Sequence, residues 1–200
     1  MNSKMKKIVQ AGFTLVELLI VVIILAILAA IVIPQFSSST TDAKESALDA
    51  NLAAMRSAIE LYKVQHASYP GGTASSGAAA IACTGTVGTG AVNTPQAWVD
   101  HLLLASDAAG NTCNLSDQTT FKFGPYIRKG IPAEPINNKG AAVLGDTVTT
   151  AVNTIAAASA GTALTVDAGD PGGWKVDTKS GQIIMNSSVQ DSKSKAYSTH

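Results

Sequence analysis

The sequence has no phosphate-cradling glycine loop, no zinc-ligand spacing among its cysteines and histidines, and no paired acids of a hydrolase. Asp100 and His101 are adjacent, but no serine elbow or cysteine nucleophile motif lies near them. Catalysis therefore has no residues to name, and the chain is expected to be no enzyme and to carry no cofactor. Aromatic residues make up only 5% of the chain. Net charge is also missing, with 14 Lys and Arg against 14 Asp and Glu. That balance lacks the basic footprint of a nucleic-acid binder, so no direct nucleic-acid binding is expected. There is no internal repeat, and 200 residues allow one domain plus an anchor.

What is present is a long apolar run behind a short basic leader. From Leu18 to Ile33 there is no polar side chain. With Phe13–Val16 in front, the segment reaches the length of about 20 residues that crosses a bilayer core as a helix. Glu17 interrupts it. A charge at that depth costs at least about 2.5–3.5 kcal/mol, so it needs a partner or a function. The best candidate partner is the new α-amino group that a cut between Gly12 and Phe13 would create. Lys4, Lys6 and Lys7 are expected to hold the leader on the cytoplasmic side. Its removal leaves eleven basic residues against 14 acidic ones, a net charge of −3. Two other routes stay open: a general signal peptide cut near Ala29-Ala30, and an uncut anchor. Neither accounts for Glu17, nor for glycine directly before Phe13-Thr14.

The stretch Lys6-Lys7 … Gly12-Phe13-Thr14-Leu15-Val16-Glu17, followed by the apolar helix, resembles the prepilin signature of the type IV filament superfamily. That superfamily holds type IV pilins, competence pilins and type II secretion pseudopilins. The resemblance is carried by residues 6–36. It implies cleavage after Gly12 by a prepilin peptidase, N-methylation of Phe13, and a meeting of Glu17 with the N-terminus of a neighbouring subunit. It further implies a helix-breaking role for Pro34, an assembly ATPase and a platform protein as partners, and a helical polymer of identical or related pilin subunits. The expected location is the bacterial inner membrane, then an extracellular or periplasmic filament.

Residues 13–66 read as one long helix, with a transmembrane half at 13–36 and an amphipathic half at 37–66. Pro34 is expected to kink or melt it near Ala30–Pro34, and Ser37–Thr41 to weaken it further. Leu48, Leu52, Met55, Ile59 and Tyr62 fall on one helical face and are expected to pack on a sheet. His66 continues that face as a helix-end residue. Tyr69-Pro70-Gly71-Gly72 ends the helix by turn chemistry.

Residues 67–120 form a variable region, with a Gly/Ala/Ser/Thr-rich loop over 71–94 and a short helix over 96–105 that has Pro95 in its first turn. Cys83 and Cys113 are an even pair in an exported domain, which favours a disulfide, with two free thiols as the alternative. Phe121–Pro132 is similar to the Gly-Pro-Tyr … Pro segment of pseudopilin-like proteins. The following Ala133–Asn138 departs from the Asp-Pro-Trp-Gly-type segment usual in major pseudopilins.

Short strands are expected over 141–144, 147–152, 163–166, 174–176 and 182–185. Asp177–Gly181 reads as a hairpin turn, 153–161 as a loop, and Trp174 and Ile184 as core. The fold is thus α+β: a long N-terminal helix on a small antiparallel sheet built from residues 121–190, with 191–200 as a flexible tail. Asp167 and Asp170 are weak candidates for calcium, since hard cations take carboxylate oxygens in loops. The alternative is a polar turn ahead of Trp174. No other metal site is suggested.

Overall fold

The computed structural model describes residues 13–77, 83–117, 119–148 and 154–200, apart from the side chain of Pro34. The leader, with Gly12, and residues 149–152 of one expected strand lie outside the described residues. Among the described residues the elements are α1 (Leu15–His66), α2 (Pro95–Leu103), β1 (Ala105–Ser106), β2 (Thr112–Cys113), β3 (Ile155–Ala158), β4 (Trp174–Asp177), β5 (Ile183–Met185) and a 3₁₀ turn at Tyr197–Thr199. This is the α+β, pilin-like arrangement that the sequence implies. The chain divides into two compact units, Met1–Asp42 and Ala43–His200.

In the first unit α1 is continuous through position 34 and through the Ser/Thr run. The local melting expected over Ala30–Pro34 does not occur. Proline deletes one backbone bond, and a helix of 52 residues retains its remaining ladder. Ser38 and Ser39 donate to the Gln35 carbonyl at 3.0 and 2.9 Å, and Thr40 and Thr41 to that of Ser37 at 2.8 and 3.2 Å. The hydroxyls that compete with helix in other settings are here folded back onto the preceding turn.

In the second unit the expected stripe is the centre of the core. Leu48, Leu52, Met55 and Ile59 are at most 1% exposed and pack with Trp98, Val99 and Leu102 of α2 and with Ile155, Trp174, Val176, Ile183 and Met185 of the sheet. Each such side chain contributes about 1.5–3 kcal/mol through burial. The opposite face of the same helix is exposed, yet Ala43, Ala47, Ala50, Ala54, Ser57, Leu61 and Val64 recur there at alternating steps of four and three, without a charge.

The larger sheet has the order β3-β4-β5. β4 and β5 are antiparallel across the expected Asp177–Gly181 turn, where Gly181, at φ +72°, donates its N–H to the Asp177 carbonyl. β3, however, pairs with β4 in parallel, from Ile155 opposite Trp174 to Ala158 opposite Asp177. The meander expected to be wholly antiparallel is therefore mixed. A parallel pair needs a crossover, and residues 159–173 supply it. That is why 163–166 is coil and why the strand falls at 155–158, inside the segment read as a loop.

Register also moves one core assignment. Trp174 aligns with Met185 and Val176 with Ile183, all fully buried, so Ile184 points to the other face and is half-buried. At the strand expected over 141–144, Ala142 forms an isolated bridge to Ile131. Gly173 sits at φ +74°, and a Cβ there would lie 2.0 Å from the Thr154 carbonyl oxygen, so the crossover can re-enter the sheet only at glycine.

The flexible tail is also corrected. Residues 191–200 pack on α1: Ser192 donates through its amide and hydroxyl to Glu45 at 2.8 and 2.7 Å. Arg56 reaches the His200 carbonyl at 3.0 Å, and His200 Nδ1 meets Asp49 at 2.7 Å. Polar side chains on the flank of α1 give this polar segment partners other than water.

Candidate assembly site

Thr14 and Glu17 close the start of α1 on each other. The Thr14 amide and hydroxyl both donate to Glu17 Oε2 at 2.8 Å, and the Glu17 amide donates back to Thr14 Oγ1 at 3.2 Å. This reciprocal arrangement is a capping box, which satisfies two of the donors orphaned at a helix start. It also puts the carboxylate at the positive end of the helix dipole. Both contacts fall on Oε2, and Oε1 accepts nothing from the described residues. The Thr-x-x-Glu spacing is a capping signal readable in the sequence, and a reading of Glu17 only as a buried charge passes over it.

Around this polar start the helix is apolar and unburied. Phe13 is 91% exposed, and the large side chains from Leu15 to Phe36 are 43–81% exposed. The helix is long and apolar enough to cross a membrane. Pro34 lies within it.

Residues 8–33 match the family model described as the prokaryotic N-terminal methylation motif. By this segment the chain is similar to the N-terminal region of pilins and pseudopilins. The type II secretion system core protein G of Pseudomonas aeruginosa is similar to it, 41% identical over 61 residues that cover 30% of this chain and 43% of the relative. The chain thus spans less than half the length of that curated relative. No solved structure matches.

The remaining sites lie in the head of this pilin-like chain. Cys83 and Cys113 are joined by a disulfide with their Cα atoms 5.8 Å apart. Cys113 is placed by the short β1/β2 pair, where Ala105 lies opposite it. Asp167 and Asp170 do not converge on one point. Lys175 and Asn186 hold Asp167, whereas Asp170 accepts from the Ser188 amide at 2.7 Å.

Two buried groups of structural importance carried no sequence signal. Asp100 Oδ2 accepts from the Ser75 hydroxyl (2.6 Å) and the amides of Thr89 (3.0 Å) and Gly90 (3.1 Å), fastening the variable loop to α2. His101 accepts the Gly71 amide at Nδ1 and bonds the Gly110 carbonyl through Nε2, each at 2.8 Å. A carbonyl only accepts, so Nε2 carries the proton and the ring is neutral. Burial holds the His101 pKa down at about 4. His66 at the end of α1 stacks on Tyr62 with ring centroids 4.0 Å apart and is also depressed, again by burial. Glu45 lies below the usual carboxylate range because the Ser192 hydroxyl and amide donate to it.

Proposed function

We propose that this chain is a structural subunit of a type IV pilus-type extracellular filament. It is cut after Gly12, methylated on Phe13, held in the inner membrane by the first half of α1, and assembled by packing that half against copies of itself. The observation that carries this reading is the unburied apolar helix directly behind a methylation motif, with its one acid at the first turn. Such a surface is stable in lipid or in a bundle of like helices, and not in water. The amine of one Phe13 approaches the Glu17 carboxylate of another subunit, which fixes register between subunits. Movement between membrane and filament is driven from outside, by an assembly ATPase acting through a platform protein. The chain acts by association and not by catalysis.

A second reading, a pseudopilin in a short periplasmic filament of a type II secretion system, is favoured by the similarity to core protein G. The pilus reading is supported by the departure at Ala133–Asn138. Shearing cells and probing the released fibres separates them: long fibres containing this chain support the pilus, and their absence, with the chain retained in the envelope, supports the pseudopilin. Intact mass and N-terminal sequencing test the common part. A mature chain starting at N-methylated Phe13 is expected; retention of Met1 or a start near Ala30 overturns both readings. Glu17→Ala is expected to leave the chain in the membrane and out of filaments. A protein that keeps its role without polymerising would instead be an anchored binding domain.

A further inference from the structure

The 159–173 crossover joins two parallel strands without a helix, so its backbone must be held down by other means. The register places Lys175 and Ile184 side by side on the outer face of the sheet. With the two-residue period, Gln182 and Asn186 share that face. Each polar side chain of this row takes a piece of the crossover. Gln182 Oε1 accepts the Leu164 amide at 3.1 Å, and Asn186 Oδ1 accepts the Asp167 amide at 2.9 Å. Lys175 Nζ donates to the Thr165 carbonyl at 2.7 Å and to Asp167 Oδ1 at 2.5 Å. At the far end Lys139 Nζ donates to the Pro171 carbonyl at 2.6 Å.

A backbone carbonyl and a carboxylate oxygen drawn to one positive centre are the ligand types of a loop-bound calcium ion. Here the centre is an ammonium, a compact charge with three donors, whose side chain is 13% exposed. The second oxygen of Asp167 is engaged by Asn186 Nδ2 at 2.9 Å. The Asp170 carboxylate faces Ser187 and Ser188 instead. We propose that Lys175 is the resident cation of the crossover loop and closes it without a divalent metal. A calcium ion directed to the same oxygens would meet this ammonium and be repelled.

The test uses the mature full chain in detergent, with thermal unfolding followed by the fluorescence of Trp98 and Trp174. The wild-type midpoint is expected to be the same in millimolar calcium and in excess chelator. Lys175→Met and Asp167→Asn are each expected to lower it by about 3–6 °C in either medium. The double variant is expected to fall little further than the worse single one, since both remove the same contact. A wild-type midpoint that rises with calcium and drops with chelator overturns the proposal, and this arm needs no variant to fold. An unchanged midpoint in Lys175→Met overturns it as well.

Discussion

Lowering the pH from 7 to about 4.5 should weaken the head chiefly through one buried imidazole. His101 is fully buried and neutral, with its two nitrogens bridging Gly71 and Gly110. Its pKa is about 4 in the fold against 6.5 for a free imidazole. The unfolded chain therefore binds a proton that the fold refuses. The stabilisation is fully present above about pH 6.5, declines as the pH falls toward 4, and changes no further below that. Over the whole window the loss is on the order of 3 kcal/mol. His66 adds to it with the same sign. Glu45 joins with the same sign as the pH approaches its free value of 4.5, and Asp117, Asp177 and Asp191, whose pKa values are also lowered, lose their contribution at more acid pH, below their free value of 3.8. Urea unfolding of the full chain in detergent at half-unit steps from pH 7.5 to 4.5 measures the slope. His101→Gln should be less stable at pH 7, because its reach differs, and should show a shallower pH dependence. A flat profile from pH 7 to 4.5, or an unchanged slope in His101→Gln, refutes the reasoning.

Opening the Cys83–Cys113 bridge with reductant, or by replacing both residues with serine, should lower stability by about 3–4 kcal/mol in the chain-entropy account, read as a shift of the urea midpoint. Asp100→Ala strands the Thr89 amide and leaves the Ser75 hydroxyl and the Gly90 amide with only the Gly90 carbonyl and Ser75 Oγ as acceptors, and should cost about 1–3 kcal/mol, with faster hydrogen exchange at Thr89 and Gly90. Ala54→Glu puts a charge on the exposed charge-free face of α1. It should leave the unfolding midpoint within about 0.5 kcal/mol of wild type and reduce incorporation into filaments, scored by immunoblot of sheared fibres.

Legibility followed the range of the interactions. The Leu48–Tyr62 stripe was readable because helical period and burial report the same face, and the Asp177–Gly181 turn because its chemistry is local. The parallel β3/β4 pair was not: Ile155-Ala156-Ala157-Ala158 has weak strand propensity, and it is a strand because Trp174–Asp177 offers it a ladder. The tail has no apolar signal of its own, since its anchors Glu45, Asp49 and Arg56 lie far away in sequence. At the N-terminus the motif, the apolar run and Glu17 are all legible in the sequence, and the Thr14 cap is legible in the Thr-x-x-Glu spacing.

Under the filament reading, that cap changes where the specificity of assembly resides. A helix leaving lipid for a bundle of like helices exchanges one apolar surrounding for another, so area removed from water gives little net drive for this step. Nor is Glu17 in the single chain a bare charge in need of rescue, because Thr14 and the helix start already satisfy one oxygen. An incoming Phe13 amine adds a contact to a half-satisfied carboxylate. Its value under the filament reading is therefore positional: it distinguishes the subunit in register from one displaced along the axis, for which the same apolar surfaces pack nearly as well. The charge-free face from Ala43 to Val64 then acts in the same sense, since small side chains permit close helix approach and the flanking Lys44, Asp49, Arg56 and Glu60 penalise a rotated neighbour. Under that reading driving force and register come from different sources, and for that reason a single carboxylate would be indispensable to a polymer whose buried surface is almost wholly apolar.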